Sequence, residues 1–257
     1  MRIYDARIAR FLSVDPLRMK FPSWSPYAFA FDNPILNIDL EGLEGVSNAH
    51  RLYFINAGIP LMDKVTSAEV GFSALGAAFA LGQSAWEAGY GNEADIKRKI
   101  SANNYWGMKF KNKVISFGSF DAGFNAWKLM MTGRFSGAYN LLKGNFTVDQ
   151  LEQAINYGTY SYDPLTKGKY VKHMLGNAKN VLKRMLIVID EQKLELTKKS
   201  ENLLKDSNGK PISIDNLSKE KKAQYEANKK ELEHLDGVRA KVSASIAAVE
   251  TALAPKK

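Results

Sequence analysis

The chain has 257 residues, 45% of them hydrophobic, enough for one good core with appendages. Zero cysteines exclude disulfides, thiolate metal sites and a cysteine nucleophile, and three scattered histidines argue against a zinc site, so no metal or cofactor is expected. The net charge of +9 suits a polyanionic partner, an acidic wall polymer or nucleic acid, and it is uneven. Lys and Arg number 5 against 6 Asp and Glu over residues 1–45, 17 against 10 over 46–190, and 14 against 11 thereafter. The excess belongs to the middle of the chain.

Residues 1–45 hold Arg10-Phe11-Leu12-Ser13-Val14-Asp15-Pro16, the rings of Phe21, Trp24, Tyr27, Phe29 and Phe31, then Asn33-Pro34 and Asp39-Leu40-Glu41-Gly42-Leu43. Prolines and aromatics this dense predict short extended pieces joined by turns. So short a segment cannot bury a core of its own, so its rings are expected to pack on whatever adjoins it. The opening Met1-Arg2-Ile3-Tyr4-Asp5 lacks the apolar stretch of a cleavable signal, which predicts synthesis in the cytoplasm without a signal peptide. The segment resembles the C-terminal end of the Rhs repeat-associated core, the shell that precedes a variable toxin domain in polymorphic toxins. That family carries two D-P-x-G motifs whose aspartates support self-cleavage. This chain keeps Asp15-Pro16, Asp39 and Gly42, with Arg18 at the first glycine and Leu40 at the second proline.

Residues 45–60 read as a linker and entry helix punctuated by Gly58 and Pro60. From Asp63 to Trp86 the chain is small and apolar, with no charge after Glu69, which predicts a helix buried on most sides. The apolar run from Val70 to Trp86, about 17 residues interrupted by Gly71, Ser73, Gly76, Gly82, Gln83 and Ser84, is too short for a membrane span. Glu87 is the first charge after it. At the C-terminus of such a helix the macrodipole disfavours an ionised carboxylate, and Trp86 and Tyr90 are expected to exclude water. Both effects raise a carboxyl pKa, as a general acid near neutral pH requires. Gln83, one turn earlier, is placed to touch the same ligand.

Two further stretches have matching chemistry. Asn103-Asn104-Tyr105-Trp106-Gly107-Met108-Lys109 sets two amides beside two rings, a combination suited to stacking on sugar faces and bonding hydroxyl or acetamido groups. Tyr160-Ser161-Tyr162-Asp163-Pro164 adds two phenols before a turn. With Gly82 to Gly91 and Phe117 to Phe120, these segments resemble, in order, the motifs of the glucosaminidase family of peptidoglycan hydrolases, glycoside hydrolase family 73. The likeness spans residues 62–184. It implies a lysozyme-like α(+β) hydrolase domain with Glu87 as catalytic acid and a substrate groove shaped by Gln83, Tyr90, Asn103, Asn104, Tyr105, Trp106, Tyr160 and Tyr162. The family also carries a β-hairpin with a second acidic residue, where this chain has the carboxylate-free run Lys109 to Ser116. Glu93, Asp95 and Asp121 are the available stand-ins; Asp121 also reads as a helix cap. The expected mechanism therefore uses Glu87 as the single acid, the developing positive charge being met by the substrate's own N-acetyl group or by water.

Downstream, Phe124, Trp127, Leu129, Met130 and Met131, then Tyr139, Leu141 and Leu142, predict two helices broken near Gly133 to Gly137. Thr147 and Gln150 form a capping box for the next. His173 is read as structural. Leu182, Ile189, Leu196 and Leu203 recur every seven residues, and Tyr225, Leu232, Leu235, Val242, Ile246, Val249 and Leu253 continue the habit after the turn at Ser207 to Pro211. These predict two long antiparallel helices. The expected architecture is mainly α: an irregular segment over 1–45, a glucosaminidase-like domain over 46–186 and a helical hairpin over 187–257.

The two resemblances together imply a peptidoglycan hydrolase, cleaving the N-acetylglucosaminyl β-1,4 linkage, that forms the toxin part of an Rhs-type antibacterial effector. Such a protein is delivered by a secretion system to the periplasm or cell wall of target bacteria. Its partners are the peptidoglycan glycan strand, a cognate immunity protein and the Rhs shell, with no nucleic acid and no membrane span. Two alternatives stay open: a non-catalytic wall-binding module of the same fold, and a nucleic-acid-targeting toxin. Against the latter, Lys97-Arg98-Lys99 reads as a solvated loop.

Overall fold

The computed structural model describes residues 4–5, 7–8, 10–14, 25, 27, 39–40, 44–45, 48–89, 92–111, 113–157, 169–206 and 209–254. It is mainly helical, as the periodicities predict. The N-terminal segment contributes two short antiparallel pairs: β1 (Tyr4–Asp5) with β2 (Arg10–Phe11), and β3 (Asp39–Leu40) with β4 (Glu44–Gly45). Tyr27, expected to pack inward, is exposed. The expected packing of Phe21, Trp24, Phe29 and Phe31 lies outside the described residues.

Helix α1 (Asn48–Tyr53) runs through a π-helical turn (Phe54–Gly58) into α2 (Ile59–Thr66). The long helix expected from Asp63 is in fact two. The chain turns after Thr66, with Gly71 at φ +70°, and restarts as α3 (Ala74–Glu87). Val70 and Phe72 stay buried through the turn, so hydrophobicity is continuous where the backbone is not. Ser73 caps α3, accepting from the Gly76 amide at 3.1 Å. Every residue from Gly76 to Ala85 is buried. A Cβ on Gly76 would collide with the carbonyl of Leu142, and one on Gly82 with that of Met174. Small residues thus let α3 lie against its neighbours at backbone distance, which fixes where its last residue emerges.

After α4 (Glu93–Ser101) a small hairpin forms, β5 (Lys109–Phe110) pairing with β6 (Lys113–Val114), followed by α5 (Phe120–Gly133), α6 (Ser136–Leu141) and α7 (Val148–Tyr157). The break at Gly133 to Gly137 and the capping box are as expected: Thr147 Oγ1 accepts from the Gln150 amide at 3.2 Å, and Gln150 Oε1 from the Thr147 amide at 2.8 Å. The cap of α5 is Ser119, not Asp121. Glu152, buried on α7, accepts from the amides of Tyr170 (3.1 Å) and Val171 (2.7 Å). A carboxylate at that positive helix end anchors the start of α8.

Helices α8 (Tyr170–Leu203) and α9 (Lys219–Leu253) form the antiparallel pair, tied by Lys179–Glu250, Arg239–Asp190 and Lys193–Asp236 ion pairs at 2.9, 2.8 and 2.5 Å. Burial along the seven-residue stripe fades outward: Leu182 and Ile189 are buried, Leu196 and Leu203 only partly. The division expected at residue 186 falls inside α8. On α9, Leu235, Val238, Val242 and Val249 belong to the same core as α3. Half of the hairpin is therefore built into the domain. No helix among the described residues is long and apolar enough to cross a membrane.

Candidate active site

Glu87 is the last residue of α3. It opens on a cleft of about 490 Å³ lined by Glu87, Gly89, Asp95, Arg98, Lys99, Gly107, Lys109 and Val114. Burial pushes its carboxyl above the ordinary value, opposed by the charges of Lys99 and Lys109. Among the described residues no hydrogen bond to the carboxylate lowers it again. The chain leaves the helix through Gly89, whose φ of +73° and closeness to the Asp95 side chain both favour glycine. Asn92 then caps α4, accepting from the amides of Ala94 (2.9 Å) and Asp95 (3.4 Å).

The opposite wall is formed by Gly107, Lys109 and Val114, in a segment held by one buried amide. Asn104 Nδ2 donates to the carbonyls of Met108 (2.7 Å) and Ile115 (2.8 Å), and its Oδ1 accepts from the Met108 amide (2.9 Å). Asn103, at φ +48°, donates to the Phe117 carbonyl at 3.1 Å. These bonds tie the loop to the β5–β6 hairpin and bring Gly107, at φ +64°, against Glu87. The hairpin supplies Lys109 and Val114 to the cleft.

Several residues expected to touch a ligand are corrected to supports. Gln83 is buried, its Oε1 accepting from Trp127 Nε1 and its Nε2 donating to Tyr170 Oη, both at 3.1 Å. Asn104 is buried and saturated as described. Tyr105 and Trp106 are 1% and 3% exposed; Tyr105 packs edge-on to Tyr53, and Trp106 stacks on Trp127 with centroids 5.6 Å apart. Their apolar area is spent on the core, so these rings do not wall the cleft. Trp86, expected to dry Glu87, is turned outward and meets His173 edge-on at 4.5 Å. Tyr90, Tyr160 and Tyr162 lie outside the described residues.

Of the three stand-in carboxylates, Glu93 pairs with Lys97 and Asp121 with Lys64 at 3.0 Å, both exposed and both absent from the cleft lining. Asp95 does line the cleft, ion-paired with Arg98 at 2.7 Å. What the expectations missed is basic. Lys97-Arg98-Lys99 is not a solvated loop but part of α4, and Lys99 is buried there, its pKa lowered by burial. The signal was the spacing Ile96, Lys99, Ile100, which puts the lysine on the helix's apolar face. Among the described residues no group of three or more His, Asp or Glu side chains is placed to hold a metal ion.

No family model, curated protein or solved structure matches this chain. The reading of the cleft rests on its own chemistry and on the sequence motifs.

A carboxyl held toward its neutral form at the rim of a cleft can donate a proton to an ether or ester oxygen. Two lysines beside it can meet negative charge. Asp95, held by Arg98, is placed to influence a water in the same space.

Proposed function

We propose that this chain is a peptidoglycan hydrolase that cleaves the glycan backbone at the N-acetylglucosaminyl β-1,4 linkage, with Glu87 as general acid. The observation that carries the reading is the Glu87 carboxyl: helix-terminal, desolvated, without a hydrogen-bond partner among the described residues, and facing an open cleft. The order of the motifs around it supports the substrate class. Glu87 passes its proton to the bridging oxygen as the bond to the anomeric carbon breaks, and the sugar's acetamido oxygen or a water meets the positive charge left behind. Water completes the hydrolysis and Glu87 regains its proton.

The test is Glu87→Gln with intact purified sacculi. Muropeptide release falls by about 10²- to 10⁴-fold while the circular dichroism spectrum is unchanged. Unchanged release would reject Glu87 as the acid. Mass spectrometry of the wild-type products identifies the bond: a reducing N-acetylglucosamine end supports the proposal, whereas a reducing muramic end or an anhydro-muramic end assigns a muramidase or a lytic transglycosylase.

The likeness of residues 1–45 to an Rhs core supports a biological setting: the toxin part of an antibacterial effector, delivered to the periplasm or wall and countered by an immunity protein. Co-expression with the product of a neighbouring small reading frame yields a complex and protects the host. Absence of both rejects the setting and leaves the chemistry standing.

A further inference from the structure

Lys99 is 5% exposed, yet it lines the cleft, and among the described residues it has no ion-pair partner. A desolvated cation whose neighbouring carboxylates, Glu87 and Asp95, act on it only from beyond ion-pair distance is unfavourable, so its retention suits an anionic ligand. Arg98 is matched by Asp95 at 2.7 Å. Glu87 lines the same cleft but forms no ion pair with either lysine among the described residues. Lys99 and Lys109 are thus the two lining cations without an ion-pair partner among the described residues.

We propose that Lys99 and Lys109 seat a carboxylate carried by the substrate, so that the cleft selects glycans bearing an acid group beside the cleaved linkage over neutral ones. This rests on the glycan-hydrolase reading and refines it. Peptidoglycan offers carboxylates of two origins: the lactyl group of muramyl residues stripped of peptide, and the carboxyls of the peptide stem. A polyanion charged at every unit fits less well, because the Asp95 carboxylate lines the same cleft.

The full chain carrying Glu87→Gln, which mimics the protonated acid and does not turn over, is titrated calorimetrically with three probes. These are chitotetraose, a peptide-free tetrasaccharide of alternating N-acetylglucosamine and N-acetylmuramic acid, and the same tetrasaccharide bearing L-Ala-D-Glu on its lactyl groups. At least one charged probe binds about tenfold or more tighter than chitotetraose. Lys99→Met, which keeps the buried stem, abolishes that preference. Lys109→Met, on an exposed strand, reduces it without disturbing the core. A preference for the peptide-free probe assigns the lactyl carboxylate; a preference for the peptide-bearing probe assigns the stem. Equal binding of all three, or a preference that survives both lysine substitutions, overturns the proposal, as does Lys99-dependent displacement of the glycan by a short single-stranded oligonucleotide. Hydrolysis of sacculi by the wild type without charge preference rejects only this inference. Preference without hydrolysis rejects only the enzyme reading, and no glycan binding rejects both.

Discussion

A methyl group on the Cα of Gly107 would stand 2.5 Å from Oε2 of Glu87. The acid is seated by main chain, and that seat exists because Gly107 adopts φ +64°. Gly107→Ala therefore incurs two penalties, about 1–2 kcal/mol for the left-handed backbone and displacement of the carboxylate. Gly209→Ala is the control: at φ +76° it carries the same backbone cost with nothing within 4 Å. Both variants melt at reduced temperatures, Gly107→Ala at least as low as Gly209→Ala, and only Gly107→Ala loses hydrolysis. Equal activity in the two would show that the contact does not position Glu87.

The raised pKa of Glu87 has a defined sign for stability as well as for rate. The folded carboxyl holds its proton to higher pH than the unfolded one, so the folded state binds more protons and stability falls as pH rises from about 4.5 through the folded value. Glu87→Gln removes this slope, so its melting temperature rises relative to wild type as pH increases above about 4.5. Activity of the wild type declines through the same raised value as the acid is lost. A variant melting curve with unaltered pH dependence would mean that Glu87 titrates normally.

Asp95 shares the cleft but is committed to Arg98. With the substrate's acetamido group meeting the developing charge, Asp95→Asn keeps hydrolysis of sacculi within about tenfold of wild type. A loss as deep as that of Glu87→Gln would instead make Asp95 the water-activating base.

His234 joins α9 to α2, its Nε2 lying 2.7 Å from Asp63 and its Nδ1 3.3 Å from Glu231. Lys241 also reaches Asp63, at 3.0 Å. The Asp63 hydrogen bond is the main cause of a raised His234 pKa. The stabilisation is complete below the unfolded value of about 6.5 and is lost as pH rises through the folded one. His234→Gln lowers stability by about 1 kcal/mol or less under mildly acidic conditions, because the group is partly exposed. The difference vanishes at alkaline pH, which urea titrations at the two pH values measure.

Leu235→Ala tests whether α9 is part of the domain. Leu235 is buried in the core shared with α3, so truncation costs about 2–5 kcal/mol. Thermal unfolding stays a single transition, shifted down. Two separated transitions would restore the picture of an appended hairpin.

The elements legible in sequence are those specified by local chemistry. Thr147 and Gln150 satisfy each other across one turn, and Leu182 and Ile189 lie one heptad apart on a single helix. Glu87 was legible because a charge ending an apolar run is conspicuous. The turn between α2 and α3 was not, since Val70 and Phe72 carry burial through it. Asn104, Tyr105 and Trp106 were assigned to a ligand because amides and rings have the same chemistry toward sugar as toward a protein interior; only packing decides which they meet. Lys99 was hidden by its charged neighbours, which face water while it does not.

The edge contact between Trp86 and His173 puts the cleft end of α3 beside the start of α8, and from His173 to Leu203 that helix rises about 45 Å. The hairpin tip and the acid thus occupy opposite poles of the molecule. Under the proposed function, a protein that grips only the tip leaves turnover of a short soluble oligosaccharide intact, even where its bulk bars the chain from a cross-linked mesh. An inhibitor that stops a soluble tetrasaccharide from being cut must reach the other pole.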